Sequence, residues 1–213
     1  MKFCVIGLGR FGYQLAVSLA DRGMEVMAVD SNEAIIESIR DEVTQAVCIN
    51  IVNEESLQTI GVEEMDTVVV AMGENFSQSI LITALLKKRL KVPHVVARSI
   101  SKIHDEILKL VGADKVVLPE REIGIRLANN LSLPFVDLVH ITKEFAVTQM
   151  TAPEKFIGKT IGEIDIRKKH RVACIAVKKG NDLHLINTDY VILENDELVF
   201  AGDDKDLAAV SHI

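Results

Sequence analysis

The first 120 residues alternate between short apolar runs and amphipathic stretches. Runs at 2–6, 25–29, 45–49, 67–71, 94–97 and 115–118 are apolar and partly β-branched, and each reads as a strand. Between them the apolar positions recur at helical spacing. Phe11, Leu15 and Leu19 fall four apart on one face, and further helices are predicted over 32–40, 75–90 and 102–111. Strands that alternate with helices in this way predict an α/β fold, a Rossmann-like doubly wound parallel sheet with right-handed crossovers. Residues 80–86 are apolar nearly all round, which predicts burial on more than one side, in a core or at a subunit interface.

From residue 135 onward the pattern changes. A strand is predicted over 144–150, and Thr160-Ile161-Gly162-Glu163 is a T-x-x-E capping box opening a helix to about residue 169. Three strands follow, over 172–178, 183–186 and 197–201, with turns at Gly180-Asn181-Asp182 and Asn195-Asp196 and a last helix over 205–212. This is a small α+β domain, so the chain divides into residues 1–134 and 135–213. A helix over 122–133 leaves the first domain with Ile123, Leu127 and Leu131 in a stripe and is stopped by Pro134. An open apolar stripe at that place calls for a covering second subunit, so a dimer at least is expected.

The first strand runs into Gly7-Leu8-Gly9-Arg10-Phe11-Gly12, which spells G-x-G-x-x-G. Gly7 suits the tight strand-to-helix turn, Gly9 lets the backbone approach a pyrophosphate, and Gly12 allows helix and strand to pack closely. A phosphate is then favoured at the positive end of the helix, where unpaired N–H groups point at it. Asp30 follows Gly12 by 18 residues at the end of the second strand, near the spacing at which an acid reaches an adenosine ribose. The alternative is that Asp30 caps the next helix together with Ser31. The ordered run of strand, motif, helix, strand and acid favours an adenine nucleotide. In such sheets the crevice lies at the carboxyl ends of the strands, which places Asn50, residues 71–75 (Gly73 and Asn75 among them), Arg98 and Glu120 beside it. Arg10 lies inside the glycine loop, where its guanidinium either reaches distal phosphates or is a solvated loop charge.

Composition narrows the classes. The net charge of −7 argues against a nucleic-acid partner, since phosphate backbones need clustered Lys and Arg. Mean hydropathy is +0.23, yet no apolar run approaches the 18 or so residues of a membrane span, and the start shows no signal-peptide pattern. A soluble, intracellular chain is expected. Cys4, Cys48 and Cys174 lie far apart in apolar strand patterns, which predicts buried reduced thiols.

Substrate chemistry is thin. Tyr13 and Tyr190 are in no Y-x-x-x-K pattern, the six histidines show no metal-ligand spacing, and neither G-x-S-x-G nor G-x-x-x-x-G-K-[ST] occurs. The 79 residues after residue 134 are few for a dehydrogenase substrate domain. The nucleotide is expected to be sensed and not consumed, and the chain is expected not to be an enzyme. The alternatives are an NAD(P)-dependent oxidoreductase or an NADH-sensing redox regulator of transcription. The second would need a basic element longer than Lys168-Lys169-His170-Arg171.

The glycine loop, Asp30, Ala71-Met72-Gly73-Glu74-Asn75, Val96-Ala97-Arg98, Gly112-Ala113-Asp114 and Leu118-Pro119-Glu120-Arg121-Glu122 together resemble RCK domains, the regulators of potassium conductance. The whole chain resembles a cytosolic regulatory subunit of a Ktr/Trk-type potassium uptake system. Its second half is similar to the RCK C-terminal (TrkA-C) domain through residues 161–167. The resemblance implies that Gly7, Gly9, Gly12 and Asp30 hold ATP, ADP or a nicotinamide dinucleotide, NAD(H). It also implies that Arg10, Arg98 and Glu120 lie by the phosphates; Phe11 of the glycine loop and Asn50, Gly73 and Asn75 at the strand ends complete the expected site. Glu120 is then a candidate to hold a cation there, a divalent ion or Na+.

The resemblance further implies homodimers assembled into an octameric ring under a membrane-embedded potassium transporter. That would make the chain cytoplasmic and peripheral to the inner face of the membrane. Cyclic di-AMP would bind the C-terminal domain through Ile161, Asp165, Ile166 and Arg167. Three positions depart from the family pattern: Asn50-Ile51-Val52-Asn53 replaces G-D-x-x-D, Asn187-Thr188 replaces N-P, and Gly162 replaces a bulkier apolar residue. ATP and ADP differ by one phosphate, so discrimination between them is expected to rest on Arg10 and Glu120.

Overall fold

The computed structural model describes residues 1–73, 75–132, 137–142, 144–180 and 182–210. They form two compact units, Met1–Glu120 and Arg121–Ile213. Residues 133–136, where the sequence places the domain division and the stop at Pro134, lie outside the described residues. So do Glu74, Asn181 of the predicted turn and the end of the last predicted helix.

The first unit is a six-stranded parallel sheet in the order β3-β2-β1-β4-β5-β6. Its strands are β1 Lys2–Ile6, β2 Glu25–Asp30, β3 Gln45–Cys48, β4 Thr67–Val70, β5 His94–Arg98 and β6 Lys115–Val117. Its helices are α1 Arg10–Ala20, α2 Glu33–Ile39, α3 Glu54–Thr59, α4 Phe76–Ala84 and α5 Lys102–Val111. Strand β4, Thr-Val-Val-Val, is buried along its whole length, as a strand covered on both faces must be. One cluster packs Cys4, Ile6, Val29, Val68 and Val70 under Leu57, Ile82, Leu86 and Leu108. The opposite face packs Val5, Val26, Ala28 and Val69 under Ala16, Ile36 and Ile39. Apolar side chains on both faces of every inner strand leave polar chemistry only the strand ends.

Within the first unit, four local features differ from the sequence expectation. Helix α3 is an added short helix, set by Asn53, which accepts from the Ser56 N–H at 2.9 Å in a reciprocal capping box. The predicted helix over 75–90 is α-helical only to Ala84. It then widens into a π-helical turn, Leu85–Arg89, in which the Leu90 N–H donates to the Leu85 carbonyl at 3.0 Å. Its apolar segment is buried at Ile82 and Leu86 but leaves Leu81 46% exposed, so burial is one-sided. Cys48 is exposed, because β3 is the edge strand, whereas Cys4 is buried and its thiol is pushed by burial up to about 12.

Helix α6, Pro119–Ser132, begins three residues before its predicted start, with proline at the first helical position. Its stripe Ile123, Leu127 and Leu131 is exposed. The second unit is a five-stranded antiparallel sheet, β10-β9-β11-β8-β7. Its strands are β7 Asp137–His140, β8 Phe145–Thr151, β9 Ala173–Lys179, β10 Asp182–Leu185 and β11 Glu197–Asp203. The one helix predicted from residue 160 is two, α7 Ile161–Ile164 and α8 Ile166–His170, broken at Asp165 with φ +49°. The last helix is α9 Asp204–Val210. Phe200, Leu198, Val177 and Met150 from the sheet pack with Ile164, Ile166, Leu207 and Val210 from the helices. Among the described residues no helix is long and apolar enough to cross a membrane.

Candidate functional site

Strand β1 pairs with β2 on one side and with β4 on the other, so the chain reverses its direction across the sheet at β1. The carboxyl ends of strands at such a reversal leave a crevice between the loops. The glycine turn fills the near wall. Gly7 takes φ +91°, a conformation that disfavours a side chain, and its N–H donates to the Val29 carbonyl at 2.8 Å. A Cβ on Gly12 would run into the Gly7 carbonyl oxygen, so only glycine lets α1 approach the turn this closely. A Cβ on Gly9 would meet nothing within 4 Å. Gly9 caps α1 with no side-chain hydrogen bond, and no acid occupies the first turn. The positive end of this 11-residue helix is therefore open to an anion.

Asp30 is tied to the same turn. Its Oδ2 accepts from the Leu8 N–H at 2.7 Å, and its Oδ1 accepts from the Asn32 N–H at 2.9 Å. The cap of α2 is Asn32, whose side chain accepts from the Ala34 N–H at 3.0 Å, so the capping role weighed for Asp30 belongs to its neighbour. Two bonds leave lone pairs on the Asp30 carboxylate for a ribose hydroxyl. Gly7, Asp30, Asn50, Met72 and Gln78 line a narrow crevice of about 70 Å³. Gln78 reaches across it and donates from Nε2 to the Ile51 carbonyl at 2.5 Å. Gln78 lies in the first turn of α4 and not at a strand end, so the pattern of strand ends does not single it out.

A second cluster gathers the charges. Arg98 ends β5, and its guanidinium lies against Gly73, where a Cβ would collide with it. It stands 5.8 Å from the Phe11 ring centroid and donates to Glu120 Oε1 at 2.5 Å. Arg98 Nε is buried without a hydrogen-bond partner. The Glu120 carboxyl is held below the usual carboxylate range first by its own backbone N–H at the start of α6. Partial burial opposes this, and the Arg98 and Arg10 charges add to the lowering. Arg10 is exposed. Asn75 is occupied locally: it caps α4, accepting from the Gln78 N–H at 3.1 Å and donating to Gln78 Oε1 at 3.0 Å.

The four residues linked by resemblance to cyclic di-AMP cluster around α7 and α8 of the second unit. Arg167 is exposed, and Asp165 Oδ2 stands 3.5 Å from Lys168 Nζ. Ile161 is half-buried, and the Ile166 side chain is 4% exposed and committed to the core. The Gly162 N–H donates to the Thr188 carbonyl at 2.8 Å, and a Cβ there would press to 3.2 Å from that oxygen. Close approach of two chain segments explains the glycine.

A larger hollow of about 660 Å³ lies elsewhere in the first unit, between α3 and the strands β1 to β3. Met27, Val47, Cys48 and Gln58 line it, and no residue predicted for the site does. Among the described residues no group of three or more His, Cys, Asp or Glu is assembled to hold a metal.

Comparison with known proteins fits this geometry. The TrkA-N domain family matches residues 3–119 and the TrkA-C domain family matches residues 148–213. Ktr system potassium uptake protein A of Bacillus subtilis (strain 168) is 34% identical over 211 residues, covering 97% of this chain and 93% of that protein. Ktr system potassium uptake protein C of the same organism is 33% identical over 210 residues, covering 97% and 94%. Among solved structures the GsuK channel bound to NAD shares the fold, with a TM-score of 0.55 at 20% identity over 99% of this chain. The chain spans 38% of that longer channel chain. With a TrkA-N and a TrkA-C domain in one chain, and relatives this similar along nearly all of it, the chain belongs to the TrkA family of RCK-domain subunits of potassium uptake systems.

Proposed function

We propose that the protein is a nucleotide-sensing regulatory subunit that controls a membrane potassium transporter of the Ktr/Trk type. The observation that carries the reading is the open N-terminus of α1 beside Asp30 and the buried, unpartnered Arg98 Nε. Those groups fit an adenine nucleotide. Gly9 leaves room for a diphosphate, the first N–H groups of α1 and the Arg10 and Arg98 guanidiniums would neutralise it, and Asp30 would accept from a ribose hydroxyl. Phe11 backs Arg98, Gly73 makes room for it, and Asn50 offers an uncharged edge. ATP, ADP or NAD(H) would each supply the two phosphates this arrangement suits.

Regulation requires that two bound states differ in free energy for two shapes of the protein. Arg10 and Glu120 would read the phosphate by which ATP and ADP differ, and Glu120 would hold a divalent cation or Na+ beside it. The exposed stripe Ile123, Leu127 and Leu131 would be covered by a second copy, within an octameric ring that acts on the transporter from the cytoplasmic side. Cyclic di-AMP control would run through Ile161, Asp165, Ile166 and Arg167, with the division between the two domains at residue 134. No catalytic residues are assigned.

The test is a thermal-shift series with ATP, ADP, NAD, NADH and cyclic di-AMP, with Asp30→Ala as control. A ligand that binds only the folded state raises the melting temperature. Shifts with ATP and ADP that vanish in Asp30→Ala are expected, whereas a shift confined to NAD or NADH would point to a redox reading. Potassium flux through the reconstituted transporter complex should then differ between ATP and ADP. Arg10→Ala should abolish that difference, and full retention of it would remove Arg10 from the mechanism.

A further inference from the structure

The first unit buries a histidine that the nucleotide reading does not use. His104, in the first turn of α5, has no exposed surface. Its Nδ1 accepts from the Ile100 N–H at 3.3 Å, which makes Nδ1 the unprotonated nitrogen. Its Nε2 stands 2.9 Å from Ser79 Oγ, and that hydroxyl spends its own proton on the Phe76 carbonyl at 2.9 Å. Ser79 is therefore the acceptor and Nε2 carries the proton. The Phe76 ring closes one side, its centroid 4.5 Å from that of the imidazole. One neutral tautomer satisfies every group in the chain of bonds.

The two segments that His104 joins are those that hold Arg98. Ile100 belongs to the loop immediately after Arg98, and Phe76 and Ser79 form the start of α4, just beyond Gly73. Gly73 is the residue against which the Arg98 guanidinium packs. The groups that bond to or stack on the ring are uncharged: Phe76 and Ser79 on α4, and Ile100 in the loop. On α5 itself the Asp105 carboxylate is paired with Lys109 at 2.6 Å. Burial alone lowers the His104 pKa from its usual value. A proton added at Nδ1 would face the Ile100 N–H donor to donor, and that bond would be lost.

We propose that His104 is a positioning residue for the nucleotide crevice. Neutral, it ties the loop after β5 to the start of α4 and holds Arg98 in place; protonated, it releases Ile100, loosens Arg98 and lowers nucleotide affinity. The proposal rests on the nucleotide reading of the site, so its test has one arm that needs no nucleotide.

In that arm, amide hydrogen exchange at Ile100 is followed from pH 7.5 to pH 5.0 and corrected for intrinsic exchange. Ile100 should lose protection in the wild type as pH falls, with a midpoint below about 6.5. In His104→Gln, which does not titrate, protection should be independent of pH. In the second arm, calorimetric ATP affinity should weaken about fivefold between pH 7.5 and pH 5.0 in the wild type beyond any change in the variant. Comparison with the variant removes protonation of ATP itself. Ser79→Ala, which takes the Nε2 acceptor away but leaves a titrating imidazole, should keep a pH dependence and move its midpoint. Ile100 protection that is flat in the wild type, or falls equally in His104→Gln, overturns the lock. A lock that opens with no change in ATP affinity relative to the variant overturns the positioning role. Absence of binding by ATP, ADP and NAD(H) at every pH removes the nucleotide reading, and with it the positioning role, while Ile100 exchange still decides the lock.

Discussion

The two units bury their sheets by opposite rules. In the parallel sheet, β2 and β4 are apolar on both faces and helices cover both sides. In the antiparallel sheet, β8 alternates buried with open positions, Ala146, Thr148 and Met150 facing the helices. A strand buried on both faces has no room for polar side chains except at its ends. The first unit accordingly gathers Asp30, Asn50 and Arg98 at the carboxyl ends of its strands, beside the glycine turn. The second spreads its polar groups over an open sheet face, where Glu197 meets Lys178 at 3.2 Å and Gln149 at 2.7 Å. A concentrated cluster of polar groups at strand ends follows from the first way of packing and not from the second.

Substitutions can break that contrast. The largest effect is expected from Phe200→Ala, which empties the core of the second unit and should cost about 4 kcal/mol in denaturant unfolding. If the units divide the work as proposed, the ATP-induced thermal shift survives it. Gly12→Val drives a side chain into the Gly7 carbonyl and should cost about 3 kcal/mol, and here the ATP shift should vanish. Asp30→Ala leaves the Leu8 and Asn32 N–H groups without their partner, at about 2 kcal/mol, and should remove nucleotide binding by calorimetry. Thr160→Ala removes the cap of α7 and should lower the melting temperature by a few degrees while leaving ATP affinity unchanged.

The smallest effect is a pH dependence. The His104 pKa in the folded protein lies below its unfolded value of about 6.5. Below that pH the unfolded chain takes up a proton that the folded chain resists, so the stability is complete above about pH 6.5 and declines as the pH falls. Melting temperatures from pH 7.5 to 5.5 should show a decline in the wild type that is shallower in His104→Gln.

Much of the first unit was legible because its signals are local. A turn that must take positive φ at Gly7, a close approach at Gly12 and six apolar runs are each readable over a few residues. Helix α3 escaped because its six residues show no full period, and its cap depends on the Asn53–Ser56 pair. The break at Asp165 escaped because a T-x-x-E start says nothing about where a helix ends. Strand β7 escaped because antiparallel pairing with β8, not its own pattern, makes it a strand.

The sequence by itself determined the alternation of strand and helix, the glycine turn and the acid 18 residues beyond it. Each of these is a constraint between residues near in the chain. Tertiary structure alone decided that Arg98 meets Glu120 and Phe11, that Gln78 closes the crevice, and that His104 is buried between α4 and the loop after β5. Apart from the local bond of His104 to Ile100, those contacts join residues 22 to 87 positions apart, and their geometry exists only once the crossovers have stacked the strands in order.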